Sequence, residues 1–276
     1  LDGHLLPGLE PNGVPRCLEG VTLAFQYNKY EELLNLVNNN PDIGVIMMEV
    51  QRNEPPIDNF LHKVRDLATR KGIVLIFDEC TSGFRENYGG LHLKYNVNPD
   101  IAMFGKALGN GYAINAIIGK RDVMNAAQST FISSTFTTER IGPTAAISTL
   151  KVMNDIKSWE IICERGDRIS NFWEILSQRH SLDMKIFGLA PLIKFSINSP
   201  HNLIYKTFIT QEMLKKGYLA GNSINVSVAH TDKIINEYEN CLDEVFSKIS
   251  KFEIEGFSVD EILDGPICHT DFKRLN

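Results

Sequence analysis

Ile73-Val74-Leu75-Ile76-Phe77-Asp78-Glu79 decides the fold: an unbroken apolar run that ends on two carboxylates. A run without polar alternation reads as a strand buried on both faces, and such strands belong to parallel sheets covered by helices. The flanks agree. Asp58 to Arg70 is amphipathic, with Phe60, Leu61, Val64 and Leu67 on one face, and Lys71-Gly72 closes it as a C-cap. Upstream, Tyr30 to Val37 has helical spacing, Pro41-Asp42 breaks it, and Ile43 to Met48 reads as a second buried strand ending at Glu49. Downstream, Pro99-Asp100 introduces the strand Ile101 to Phe104. Ile114 to Ile118 is another strand, Arg121 to Ala127 a short helix, and Gly142 to Ile156 a small-residue helix. This alternation predicts an α/β fold: a mostly parallel sheet with helices on both faces.

Beyond Trp159 the pattern changes. Arg168 to Arg179 is helical, Met184 to Ile197 strand-like around Pro191, and Asn202 to Lys216 helical again. Tyr218 to Val228 alternates like a half-exposed strand, and Asp232 to Phe252 is a long amphipathic helix. The expectation is a large domain over 1–158 and a smaller α+β domain over 159–276.

At 276 residues, 43% hydrophobic and 22% charged, the composition is that of an ordinary globular protein. A formal charge of −6 argues against nucleic acid or an anionic membrane as partner. No apolar stretch approaches the roughly 18–20 residues a bilayer requires. The start, Leu1 to Pro7, lacks the basic and apolar regions of a signal peptide, and Pro7, Pro11 and Pro15 mark a loop-like opening. The chain reads as beginning in mid-domain. Five scattered cysteines without a CxxC pair imply reduced thiols and a cytoplasmic setting. The histidines have no metal-ligand spacing and no HExxH occurs, so metal catalysis is not expected.

The chemistry centres on Met103-Phe104-Gly105-Lys106-Ala107-Leu108-Gly109-Asn110-Gly111, where a lysine sits between an apolar strand and a glycine-rich turn. The interval from Asp78 to Lys106 is 106 − 78 = 28 residues, about one crossover in an α/β sheet. That spacing lets both face one crevice at the carboxyl ends of nearby strands. A lysine able to form an imine, and an aspartate able to keep a ring nitrogen protonated, are what pyridoxal 5′-phosphate (PLP) chemistry requires. Spacing alone also fits an exposed lysine at a strand end. The strand Ile73–Glu79 equally fits the Walker B strand of a nucleotide hydrolase, but Gly105-Lys106 and Gly119-Lys120 lack the Ser or Thr of a phosphate cradle. Glu49 reads either as a polar strand terminus or as a third group in the crevice. Arg85 reads as a structural ion-pair arginine ahead of a site residue. Ser133-Ser134-Thr135-Phe136-Thr137-Thr138 supplies hydroxyls that suit phosphate oxygens or an N-cap.

Together these motifs resemble the class III aminotransferases of PLP fold type I, especially the glutamate-1-semialdehyde 2,1-aminomutase branch. The run Phe77-Asp78-Glu79-Cys80-Thr81-Ser82-Gly83-Phe84-Arg85 carries the resemblance, with Pro99-Asp100, Gly105-Lys106, Gly109-Asn110-Gly111 and Gly119 through Met124. The match is ordered from about Glu49 to Met153. The resemblance implies that Lys106 carries the Schiff base and Asp78 holds the pyridine nitrogen. It also implies that Glu49 is an active-site residue and that Thr135 reaches the cofactor phosphate of a partner subunit. It therefore implies a homodimer with shared sites, acting on a small-molecule amine or carbonyl substrate.

Three departures stand out. The phosphate-binding Gly/Ser/Thr loop and ring-stacking aromatic of the family are expected ahead of Leu1, so the chain reads as the carboxyl-terminal two-thirds of such an enzyme. After Thr135 the chain has Thr137-Thr138-Glu139-Arg140 instead of the family's serine/threonine-glycine-asparagine-proline run. The strand Ile186 to Ile193 lacks the arginine of many ω-aminotransferases, which favours the aminomutase-like branch. The expected function is PLP-dependent amino-group transfer, as aminotransferase or aminomutase. The alternative is a non-catalytic fragment of the same fold serving as a dimerisation or binding module.

Overall fold

A computed structural model describes residues 12–269; the opening with Pro7 and Pro11 lies outside the described residues. The first half of the chain runs α1 (Tyr30–Asn39), β1 (Val45–Glu49), α2 (Phe60–Lys71), β2 (Val74–Asp78), β3 (Ile101–Phe104) and β4 (Ala116–Gly119). The short α3 (Arg121–Met124) and the longer α4 (Ile141–Ile156) follow. The strands form one sheet in the order β1-β2-β3-β4. β1, β2 and β3 are parallel and β4 returns antiparallel, so the expected mostly parallel sheet has one reversed strand.

One face of the sheet carries Ile46, Met48, Leu75, Phe77, Ala102 and Phe104, all buried. On β1 and β2 that face packs with Leu33 and Val37 of α1 and Phe60, Leu61, Val64 and Leu67 of α2. Ala102 and Phe104 pack with Ala146 of α4. The other face carries Val45, Met47 and Ile117, each about half exposed, and ends in Glu49 and Asp78. The helix stop at Gly72 is as expected. Its φ of 67° is left-handed, and its N–H donates to the carbonyls of Ala68 and Thr69.

Asp100, just before β3, fixes the register. Its Oδ2 accepts from the Leu75 N–H and from Arg65 Nη1, both at 2.8 Å, while Oδ1 pairs with Lys120 Nζ at 2.7 Å. Burial alone would raise its pKa, but the Leu75, Lys120 and Arg65 contacts outweigh burial and hold it below the ordinary carboxylate value. One carboxylate thus ties β2, α2 and the end of β4 to the entry of β3. The β2–β3 connection contains only a 3-10 turn, Leu91–Leu93, among its regular elements. It is organised instead around Glu79, which is fully buried. Glu79 Oε1 accepts from the His92 N–H at 2.9 Å and meets His92 Nδ1 at 2.8 Å, while Oε2 takes the Ser82 hydroxyl.

The second half runs α5 (Ser158–Arg179), β5 (Met184–Leu189), β6 (Leu192–Ile197), α6 (Asn202–Lys215), β7 (Ser223–Asn225), α7 (Asp232–Glu255) and the short α8 (Val259–Ile262). The three strands form an antiparallel sheet, β5-β6-β7. Trp173, Phe195, Tyr205, Leu242 and Phe246 fill the core between it and the helices. Two expectations need correction. Helix α5 starts ten positions before Arg168, at Ser158 (168 − 158 = 10). The strand expected over Tyr218 to Val228 shrinks to Ser223–Asn225, the part that pairs with β6. In α5, Gly166 is not a helix breaker: a Cβ there would strike the Ala190 carbonyl, so it allows the helix to approach the β5–β6 turn.

Candidate active site

β1 and β2 end in register, with Glu49 opposite Asp78, and Asp78 lies opposite Met103 of β3. Two residues past β3 comes Lys106. Carboxylates and amine therefore gather at the carboxyl ends of three adjacent parallel strands, where open α/β sheets bind ligands. The turn after β2 closes the cluster. Asp78 Oδ1 accepts from the Cys80 N–H at 2.9 Å, and Lys106 Nζ donates to Thr81 Oγ1 at 2.7 Å. Only three positions separate the residue holding the lysine from the aspartate (81 − 78 = 3).

The thiol of Cys80 senses the whole group. Burial raises its pKa first, Asp78 and Glu49 add to the rise, and the Lys106 charge opposes it. Glu49 itself stands 3.8 Å from Arg52, a loose surface pairing. Among the described residues neither Lys106 nor Asp78 has a counter-ion. Asp78 keeps lone pairs free for a cationic ring N–H, and Lys106 presents an exposed amine.

Lys106 has φ of 44°, in the left-handed region that a lysine occupies at a cost of roughly 1–2 kcal/mol. Such strain persists where the surroundings enforce it. Gly105 supplies part of that enforcement, because a Cβ there would collide with Asn115 Oδ1 and press on the Cys80 sulfur.

Beside Lys106 an open cavity of about 620 Å³ runs along α4, where Val152 and Ile156 line it, to the start of α5 and the Val226–Val228 loop. Arg165 holds that loop by donating to the carbonyls of Ser227 (3.3 Å) and Val228 (2.8 Å). A larger groove of about 870 Å³ lies between residues 20–25, α1 and β1. It lacks the lysine, which the smaller cavity includes, while Glu49 lines a separate groove with Met47, Met48 and Arg52.

Of the sequence candidates, Lys106, Asp78 and Glu49 come together. Thr135 does not join them: it opens an exposed 3-10 turn, Thr135–Thr138, capped by Ser134, and does not line the cavity. Arg85 departs from the ion-pair reading. Its Nε donates to the Thr81 carbonyl at 2.7 Å, and among the described residues no carboxylate pairs with it. The sequence reading missed Cys80 and Thr81. Their only signal was position, two and three residues after the strand-end aspartate. Among the described residues no cluster of metal-binding side chains occurs, and no helix is long and apolar enough to cross a membrane.

Comparison with known proteins agrees with this geometry. The family description "Aminotransferase class-III" matches residues 29–251. A glutamate-1-semialdehyde 2,1-aminomutase of Methanococcus maripaludis is 27% identical, over 86% of this chain and 60% of its own length. A 3-aminobutyryl-CoA aminotransferase of Cloacimonas acidaminovorans is 28% identical, over 82% and 59%. The chain thus spans about 60% of the curated relatives it matches. Among solved structures, the PLP internal aldimine form of the Sphingopyxis sp. MTA144 FumI protein superposes with a TM-score of 0.78 at 23% identity, covering 87% of this chain and 60% of that one. An omega-transaminase from Sphaerobacter thermophilus gives 0.78 at 17% identity with the same coverage. These likenesses bear out the expected α/β architecture of fold type I. From the strand-end carboxylates to the strained lysine, the chain belongs to the class III aminotransferase family.

Proposed function

We propose that this chain performs PLP-dependent amino-group transfer on a small-molecule amine or carbonyl substrate, as an aminotransferase or an aminomutase of the glutamate-1-semialdehyde type. The observation that carries it is Lys106 and Asp78 meeting across the turn 78–81 at the carboxyl ends of β2 and β3. When bound, PLP supplies an aldehyde that condenses with amines and a ring that accepts electrons from the substrate carbon. Lys106 Nζ takes a proton from that carbon and returns one, acting as base and then acid. Asp78 holds the proton on the ring nitrogen, as an ionised carboxylate facing a cation does. Glu49 closes the same crevice, and Thr81 orients the lysine amine through its hydroxyl.

The partner reading rests on exposed apolar side chains around Thr135. Phe131 is 97% exposed and Phe136 75%, with Ile132, Ile141 and Ile147 nearby in sequence. A homodimer would cover them and carry Thr135 toward a partner's cofactor phosphate. The division into 1–158 and 159–276 is supported by the cores, one gathering residues from Ile162 to Leu263 and another gathering residues from Leu33 to Val97, which Leu189 of β5 joins from the second half. Five free thiols support a reducing, cytoplasmic setting.

The test is spectroscopic. Protein mixed with PLP should develop a visible absorption band that a primary amine bleaches and a keto acid restores; Lys106→Ala should do neither. A band that no amine alters overturns the reading.

A further inference from the structure

We propose that Arg85, Ser158 and the first turn of α5 form a receptor for a carboxylate carried by the substrate, in the same cavity as Lys106. Arg85 is a half-buried guanidinium committed through Nε to the Thr81 carbonyl, with no carboxylate partner among the described residues. Burial holds its pKa below the ordinary arginine value. Ser158 lines the same cavity and is 8% exposed, and its buried hydroxyl has no hydrogen-bond partner. Buried polar groups are rarely left unsatisfied, so an orphan hydroxyl on a residue that lines a cavity points to a ligand.

The third observation is the helix itself. α5 is 22 residues long, Ser158 is its first residue, and no side chain caps its opening N–H groups. Such an end attracts anions through its free donors and its dipole. Two acids of this region are engaged elsewhere. Glu160, in that first turn, is exposed and lies 3.7 Å from Lys157, while Glu86 is paired with Lys94 and accepts from the Ala190 N–H.

Thr81 sets the substrate's shape. Its hydroxyl holds Lys106 and its carbonyl holds Arg85, so a single residue tethers both the reacting amine and the anion receptor. Val152, Met153, Ile156 and Ile162 make the adjoining wall apolar. The ligand class is an amino or keto acid with a short aliphatic spacer between the reacting carbon and the carboxylate. This rests on the amino-transfer reading of Lys106.

The experiment has two arms. In the PLP-loaded protein, γ-aminobutyrate and n-butylamine are compared as amine donors. The acid should react about ten- to a hundredfold faster, as expected for a charge-assisted bidentate contact. That preference should fall toward one in Arg85→Gln, survive in part in Arg85→Lys, and drop severalfold in Ser158→Ala. In cofactor-free protein, saturation-transfer NMR should detect levulinate but not levulinamide, with the levulinate signal lost in Arg85→Gln. Amines consumed without preference, or a full preference kept by both Arg85→Lys and Ser158→Ala, overturns the receptor and leaves the amino-transfer reading standing. Levulinate bound selectively with no amine consumed overturns the amino-transfer reading, and the substrate assignment falls with it.

Discussion

Glu79→Ala should destabilise the fold by about 3–5 kcal/mol, the range for removing one partner from a buried polar pair. Glu79 is fully buried, with His92 at 8% and Ser82 at 2% exposure. Its loss strands three donors, the His92 backbone N–H, His92 Nδ1 and the Ser82 hydroxyl. A buried donor left unsatisfied costs roughly 1–3 kcal/mol, so three reach the same range. With a urea dependence of about 3 kcal/mol per molar, the unfolding midpoint should fall by about 1 M or more. Circular dichroism during a urea titration reads this directly.

The pH dependence follows from the sign of the pKa shift. Burial would raise the Glu79 pKa, but hydrogen bonds from His92 and Ser82 outweigh it and bring it below the ordinary 4.5. A carboxyl whose folded pKa is depressed stabilises above its unfolded pKa and loses that contribution as pH falls through the folded one. The gap between wild type and Glu79→Ala should be full at neutral pH and narrow below about pH 4. A midpoint shift under about 0.3 M at neutral pH would refute the network's structural role.

Other predictions are independent of this one. Asp78→Asn should still load PLP but lower the rate of amine consumption at least about a hundredfold, because the ring nitrogen loses its proton-holding partner; stopped-flow absorbance checks this, and an unchanged rate contradicts the assigned role. Cys163, whose thiol burial pushes up to about 12 with Glu86 and Asp167 adding to the rise, should resist iodoacetamide at mildly alkaline pH. Exposed Cys17 should react readily under the same conditions, and peptide mass mapping distinguishes the two.

Local signals made the first half of the sheet readable. β2 announced itself through an uninterrupted apolar run, and α2 through its apolar face and a glycine stop that the structure places at φ 67°. Lys106 and Asp78 were readable because each closes such a strand. The groups that complete the site were not, because tertiary contacts assign them. His92 lies 13 positions from Glu79, with no motif announcing the bond. Thr81 reaches Lys106 across 25 positions. Ser158 gains its meaning only because α5 extends back to it through Gly166, well ahead of the helix expected from Arg168. Arg85 was open to two readings, ion pair or site lining, and among the described residues the fold supplies no carboxylate for the first.

The most direct measurement is chemical. Incubate the protein with PLP, reduce with borohydride, digest, and locate the pyridoxyl group by mass spectrometry. The account predicts the modification on the peptide containing Lys106, and its loss in Lys106→Ala. Labelling of Lys120 or another lysine in its place, or equal labelling of the variant, would contradict the claim that this strained lysine beside Asp78 is the reacting amine.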